Sequence, residues 1–115
     1  MTENDYEKLR LILIEKGYSG ENSLPVQARS SEDPGADYFV QLKSELKQLF
    51  DLLEGEEKID RILAAALFGL SHVSYTNYEA AIHHGVKFRD TLIDPDLIEI
   101  EMAVESIFSG EWIEL

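Results

Sequence analysis

The stretch Asp33-Pro34-Gly35-Ala36-Asp37-Tyr38-Phe39-Val40-Gln41-Leu42-Lys43-Ser44-Glu45-Leu46-Lys47-Gln48-Leu49-Phe50-Asp51-Leu52-Leu53-Glu54-Gly55 decides the fold class. Phe39, Leu42, Leu46, Leu49, Phe50 and Leu53 recur at three- and four-residue intervals, the spacing of one face of an α-helix. Asp33-Pro34 supplies a polar cap followed by a proline in the first turn, and Gly55 marks the end. The glycine is placed where a helix commonly closes with a left-handed residue.

Working outward, the same grammar recurs. A helix over about Asn4–Lys16 takes Thr2 or Asn4 as cap and Asp5 and Glu7 at its positive end, with Gly17 as its stop. Leu9, Ile12 and Leu13 share a face with Leu11 and Ile14 beside them, which predicts a central helix. Residues 17–33, rich in Gly, Ser and Asn, read as a long loop anchored by Leu24-Pro25-Val26. After Gly55 a third helix is expected from about Glu56 to His72, with the stripe Ile59, Ile62, Leu63, Ala66, Leu67 and Leu70. The short break before it suggests an antiparallel hairpin. The acidic knot Glu54, Glu56, Glu57 and Asp60 solvates that break and favours the helix start. Thr76 or Asn77 caps a fourth helix with Tyr78, Ala81 and Ile82, which Gly85 either ends or interrupts. Asp94-Pro95 opens a last helix with Leu97, Ile100, Val104, Ile107 and Phe108 as its core stripe, closed by Gly110. The expectation is a single all-α domain over 1–115, a small bundle of four to five helices. An α+β domain is the alternative, because Val86–Arg89 and Leu97–Met102 also alternate as strands do.

With 23 acids against 10 bases the formal net charge is −13. A field of that sign repels phosphate backbones, so direct nucleic-acid binding is disfavoured, and it draws in basic proteins. The 44% hydrophobic content supports a folded core. With no cysteine there is no disulfide and no thiolate site. The polar, acidic start is no signal peptide, and the longest aliphatic run, Leu11–Ile14, is too short for a membrane. A cytoplasmic protein is expected.

Chemistry-bearing patterns are sparse. His83 and His84 are adjacent and diverge by about 100° on a helix. Glu79 and His83 share a face, but no third metal ligand follows at a fitting spacing. No serine sits in a glycine-flanked elbow, and no glycine-rich loop carries the phosphate-binding lysine. No catalytic residue, metal ligand or cofactor is assigned.

Charge asymmetry is the stronger signal. Residues 90–115 hold eight acids and no base, whereas the first 89 hold fifteen acids and all ten bases. In the last helix Ile98 and Met102 fall off the core stripe, with Glu101 and Glu105 between the two groups. An apolar pair edged by carboxylates has the composition of a docking surface. The candidate partner-binding residues are Asp94, Asp96, Ile98, Glu101, Met102, Glu105 and Trp112. Tyr75, Tyr78 and Trp112 are residue types that anchor interfaces, and also types that complete cores.

The size, the absence of cysteine, the helical pattern and the acid-only end from Asp90 to Leu115 resemble the small acidic immunity proteins that bacteria pair with nuclease toxins. That resemblance implies a tight 1:1 complex with a basic nuclease toxin domain, whose phosphate-binding groove the carboxylates would occupy. An acidic mimic acting on a host nucleic-acid-binding protein, of anti-restriction or anti-CRISPR type, is the alternative, followed by a plain helical adaptor.

Overall fold

The computed structural model describes residues 3–113. Among them no residue lies in a strand, and the chain is all-α in five helical segments. Helix α1 (Glu3–Ile14) runs on into a wide π turn, Glu15–Ser19. Next come α2 (Leu24–Arg29) and α3 (Ala36–Leu52). Helices α4 (Arg61–Phe68) and α5 (Ser74–His83) form one unbroken helical segment joined by a second π turn, Gly69–Val73. A kinked helical stretch, Leu92–Leu97, broken at Asp94, leads into α6 (Ile98–Ser109). The α+β alternative falls: 98–102 is helical, and 86–89 has no regular structure.

Helix α3 follows its pattern closely. Phe39, Leu42, Leu46 and Leu49 are buried, and Phe50 and Leu53 are half-buried against them. Its start differs from the expectation. Asp33 does not cap the helix; its Oδ1 accepts from Gly35 N at 2.9 Å, closing a turn that precedes the helix. Gly35, with φ of 97°, occupies the cap position itself. A side chain would strain that backbone.

The other segments also depart from their sequence patterns. Gly17 does not stop the first helix: the backbone widens there and continues to Ser19. Asn4 lies inside the helix rather than at its cap, and Thr2 lies outside the described residues. The stretch 17–33 is not all loop, because α2 forms within it and buries Leu24, Pro25 and Ala28. Pro25 stands in its first turn, where a missing N–H costs nothing. The third helix starts at Arg61 rather than Glu56, since the Asp60 carboxylate caps it by accepting from Leu63 N at 2.8 Å. Finally, Thr76 and Asn77 cap nothing. The helix passes through them, and Asn77 Nδ2 donates to Pro25 O at 3.2 Å, tying α2 down. Gly85, with φ of 96°, follows the end of α5.

Packing explains why the segments settle this way. Helices α3 and α4 do not form the expected close hairpin; each packs on α1. Helix α1 is not the central helix its sequence implies: it buries Leu9 and Leu13 on one face and leaves Leu11 and Ile12 exposed. Helix α6 packs along α3 and against the turn 69–73, and α2 lies on α5. Where α1 meets the long segment, two glycines face each other. A Cβ on Gly69 would stand 2.1 Å from Gly17 O, and one on Gly17 would stand 2.2 Å from Ala66 O. No side chain fits there, so both π turns are placed by backbone against backbone. The widened turn at 69–73 is held by side chains: Ser74 Oγ donates to Gly69 O at 2.7 Å and Ser71 Oγ to Leu67 O at 3.0 Å.

The core includes nine leucines with no exposed surface, at 13, 24, 42, 46, 49, 63, 67, 70 and 92. Each such burial stabilises by about 2 kcal/mol. That is what sets against the self-repulsion of a charge of −13. Three residues assigned to core stripes are not in it: Ile12, Ile62 and Phe108 are 40%, 46% and 50% exposed. Among the described residues no helix is long and apolar enough to cross a membrane.

Candidate docking surface on the last helix

The helical run into α6 begins after Asp94, whose backbone is extended (φ −127°, ψ 111°), so the helical conformation starts at Pro95. This matches the opening read from Asp94-Pro95. Gly110, at φ of 81°, closes the helix in the left-handed conformation, as the sequence implies. Leu97, Ile100, Ala103, Val104 and Ile107 are buried and occupy one arc of the helix. At 100° per residue the opposite arc carries Ile98, Glu101, Met102 and Glu105. Glu105 is exposed, and the other three are half-buried.

The seven candidate residues do not share one face. Asp94 is exposed in the turn that leads into the helix. Asp96 is drawn away by Arg89, whose Nη1 donates to Asp96 Oδ2 at 2.6 Å. Trp112 folds back over α3, its ring edge-on to Phe50 at 5.3 Å between centroids. The Lys47 ammonium lies 5.0 Å from both rings. The fold-back has a cause: past Gly110, Ile113 N donates to the buried Ser106 Oγ at 2.8 Å. Asp96 and Trp112 thus line a groove of about 440 Å3 between α3 and α6, with Val40, Lys43, Lys47 and Glu99. Glu99 pairs there with Lys43, and Lys47 with Asp51. The charged side chains of that groove are therefore matched, whereas Glu101 and Glu105 on the outer arc enter no ion pair among the described residues.

The centre of the neighbouring polar network is Arg89. Its guanidinium donates to both Asp33 oxygens, at 2.9 and 3.0 Å, and also to Thr91 and Asp96. Partial burial raises the Asp33 carboxyl, but the hydrogen bonds from Arg89 and Gly35 N outweigh it and hold it below its ordinary value. Fifty-six residues separate the partners, and no local pattern announces the pair.

Elsewhere the polar groups are structural in character. The Tyr38 hydroxyl is buried and has no hydrogen-bond partner among the described residues, and burial, followed by the nearby Glu45 carboxylate, pushes it well up. Glu45 itself is buried and is held by Lys16 at 2.5 Å and Gln41 at 3.3 Å. Tyr75, beside α6, is raised by burial and then by the carboxylates of Glu79 and Glu101. The rings of His83 and His84 lie 5.9 Å apart on an exposed helix end. Among the described residues no group of three or more His, Asp or Glu side chains is placed to hold a metal ion.

No protein-family model, curated protein or solved structure matches this chain.

Proposed function

We propose that the chain is a stoichiometric inhibitor of the immunity-protein kind, acting in the cytoplasm on a basic nuclease toxin domain. It binds through the outer arc of α6 and carries out no chemistry itself. One observation supports this reading: in a region of eight acids and no bases, Glu101 and Glu105 flank Ile98 and Met102 and enter no ion pair among the described residues. The acids on the opposite side, Asp96 and Glu99, are matched by Arg89 and Lys43. A nuclease displays positive charge to hold phosphates, and unmatched carboxylates beside an apolar pair complement such a groove.

The test is the protein encoded beside this one, expressed with and without it. The reading expects relief of toxicity on coexpression and a 1:1 complex by calorimetry. Glu101→Lys with Glu105→Lys is expected to cost the complex about 2–5 kcal/mol, roughly 30-fold in affinity or more. The same reversal at Glu21 and Glu32, on the surface of another part of the molecule, is expected to change only association rate and salt dependence. Equal loss from the two pairs would show that net charge, not this face, governs binding. No complex and no relief would end the reading.

A further inference from the structure

A second groove, of about 380 Å3, lies where the end of α3, the segment 53–59 and the end of α6 meet. Its walls include Phe50, Ile59, Ile107 and Phe108. Phe108 is 50% exposed, although its spacing assigns it to the core. Around this apolar floor stand Glu54, Glu56 and Glu57, all exposed and in no ion pair among the described residues, while Asp51 is tied to Lys47 at 2.9 Å. Lys58 is the one base in 51–60. Phe108 continues the outer arc of α6, since Glu101, Glu105 and Phe108 follow the i, i+4, i+7 spacing of one helical face. The groove thus lies at the C-terminal end of the helix that carries the outer arc.

The chemistry of the walls selects the occupant. A phosphate is repelled by three unneutralised carboxylates. A purely apolar segment would strip water from those carboxylates and return nothing to them. An arginine side chain meets both demands: its plane stacks on an aromatic face, and its fork of donors matches a carboxylate. We infer that this groove seats an arginine-bearing loop of the basic partner, with the guanidinium over Phe108 and held by Glu56 or Glu57. The inference rests on the basic-partner reading above and adds an aromatic anchor point, Phe108, to the apolar pair Ile98 and Met102.

The experiment uses the isotopically labelled full chain and two synthetic peptides of equal charge, acetyl-Arg-Leu-Arg-Leu-Arg-amide and its lysine counterpart. Titration followed by amide chemical shifts is expected to move residues 54–59 and 107–110, with the arginine peptide binding more tightly. Phe108→Ser is expected to weaken the arginine peptide about tenfold and abolish its advantage. Glu56→Gln with Glu57→Gln is expected to weaken both peptides, with melting unchanged. Shifts centred elsewhere, or an arginine preference that survives Phe108→Ser, would overturn the inference. The two readings fail separately. If the neighbouring gene product does not bind while the peptide seats here, the inhibitor reading falls and the groove stands. If that product binds Phe108→Ser as well as the parent, the groove falls and the inhibitor reading stands.

Discussion

At the crossing of α1 with the long α4–α5 segment, backbone meets backbone at Gly17 and Gly69, with buried Ser71 and Ser74 holding the turn from within. At α6 the arrangement is the reverse: the backbone is regular, and the side chains carry unmatched charge on the arc away from the core. The first region admits no added atom, and the second admits many substitutions. Shape is set where side chains are absent, and the proposed docking face lies outside that packing. The two regions should therefore answer mutation in opposite ways.

The largest effect is expected at the crossing. In an open helix, Gly→Ala stabilises by roughly 0.8–1 kcal/mol. At Gly69 the new Cβ would stand 2.1 Å from the carbonyl oxygen of Gly17, a backbone atom that no rotamer change can move. Gly69→Ala is expected to cost about 3 kcal/mol in urea unfolding, because the two helices must separate. A gain in stability would break the contrast, since it would make Gly69 ordinary helix.

An intermediate effect is expected at Arg89, which ties the turn before α3 to the lead-in of α6. Its pairs with Asp33 and Asp96 are neither fully exposed nor fully buried, at 28%, 19% and 15% side-chain exposure. Arg89→Met leaves two carboxylates short of water and partner and is expected to cost about 2 kcal/mol, between surface and buried pairs. The pH dependence has a definite sign. The Asp33 carboxyl is depressed in the fold, so its contribution is complete above its unfolded value, 3.8, and is lost as pH falls through the lower folded value. The gap between parent and variant is therefore expected to narrow below pH 3.8 in thermal melts. A gap that is constant with pH would assign the loss to the packing of Arg89 over the Phe39 ring, 5.9 Å away, instead of its charge.

What was legible in the sequence follows from the same contrast. The α3 stripe, the Asp94-Pro95 opening and the Gly110 stop are local patterns, and each was readable. Gly17 was read as punctuation because glycine signals both a stop and a close approach, and only the partner at Gly69 separates the two. The junction at Thr76 and Asn77 misled because the cap residues are real, but their polar groups are used across the fold, as in the bond from Asn77 to Pro25. Of the candidate docking residues, Ile98, Glu101, Met102 and Glu105 share the arc that periodicity assigns them. Asp96 and Trp112 were out of reach, since Arg89 and the Ser106–Ile113 bond set their places through the fold. Phe108 was within reach: three residues past Glu105, it projects beside the acids and not at the centre of the stripe.

The smallest effect on stability is expected where the largest effect on binding is proposed. Glu101→Gln with Glu105→Gln removes two negative charges from a chain of net −13 and breaks no ion pair among the described residues. Surface changes of this kind usually stay within about 0.5 kcal/mol. Relief of self-repulsion favours a slight gain, most visible at low ionic strength and fading as salt screens the field. A contact at stake is Tyr75, whose hydroxyl feels Glu101 only after burial and Glu79. Melting the parent and the double variant across a salt series checks this directly. A loss of more than about 1 kcal/mol at every salt concentration would mean that these carboxylates hold the fold. The outer arc of α6 would then resemble the glycine crossing, and the argument that its acids are free for a partner would lose its premise.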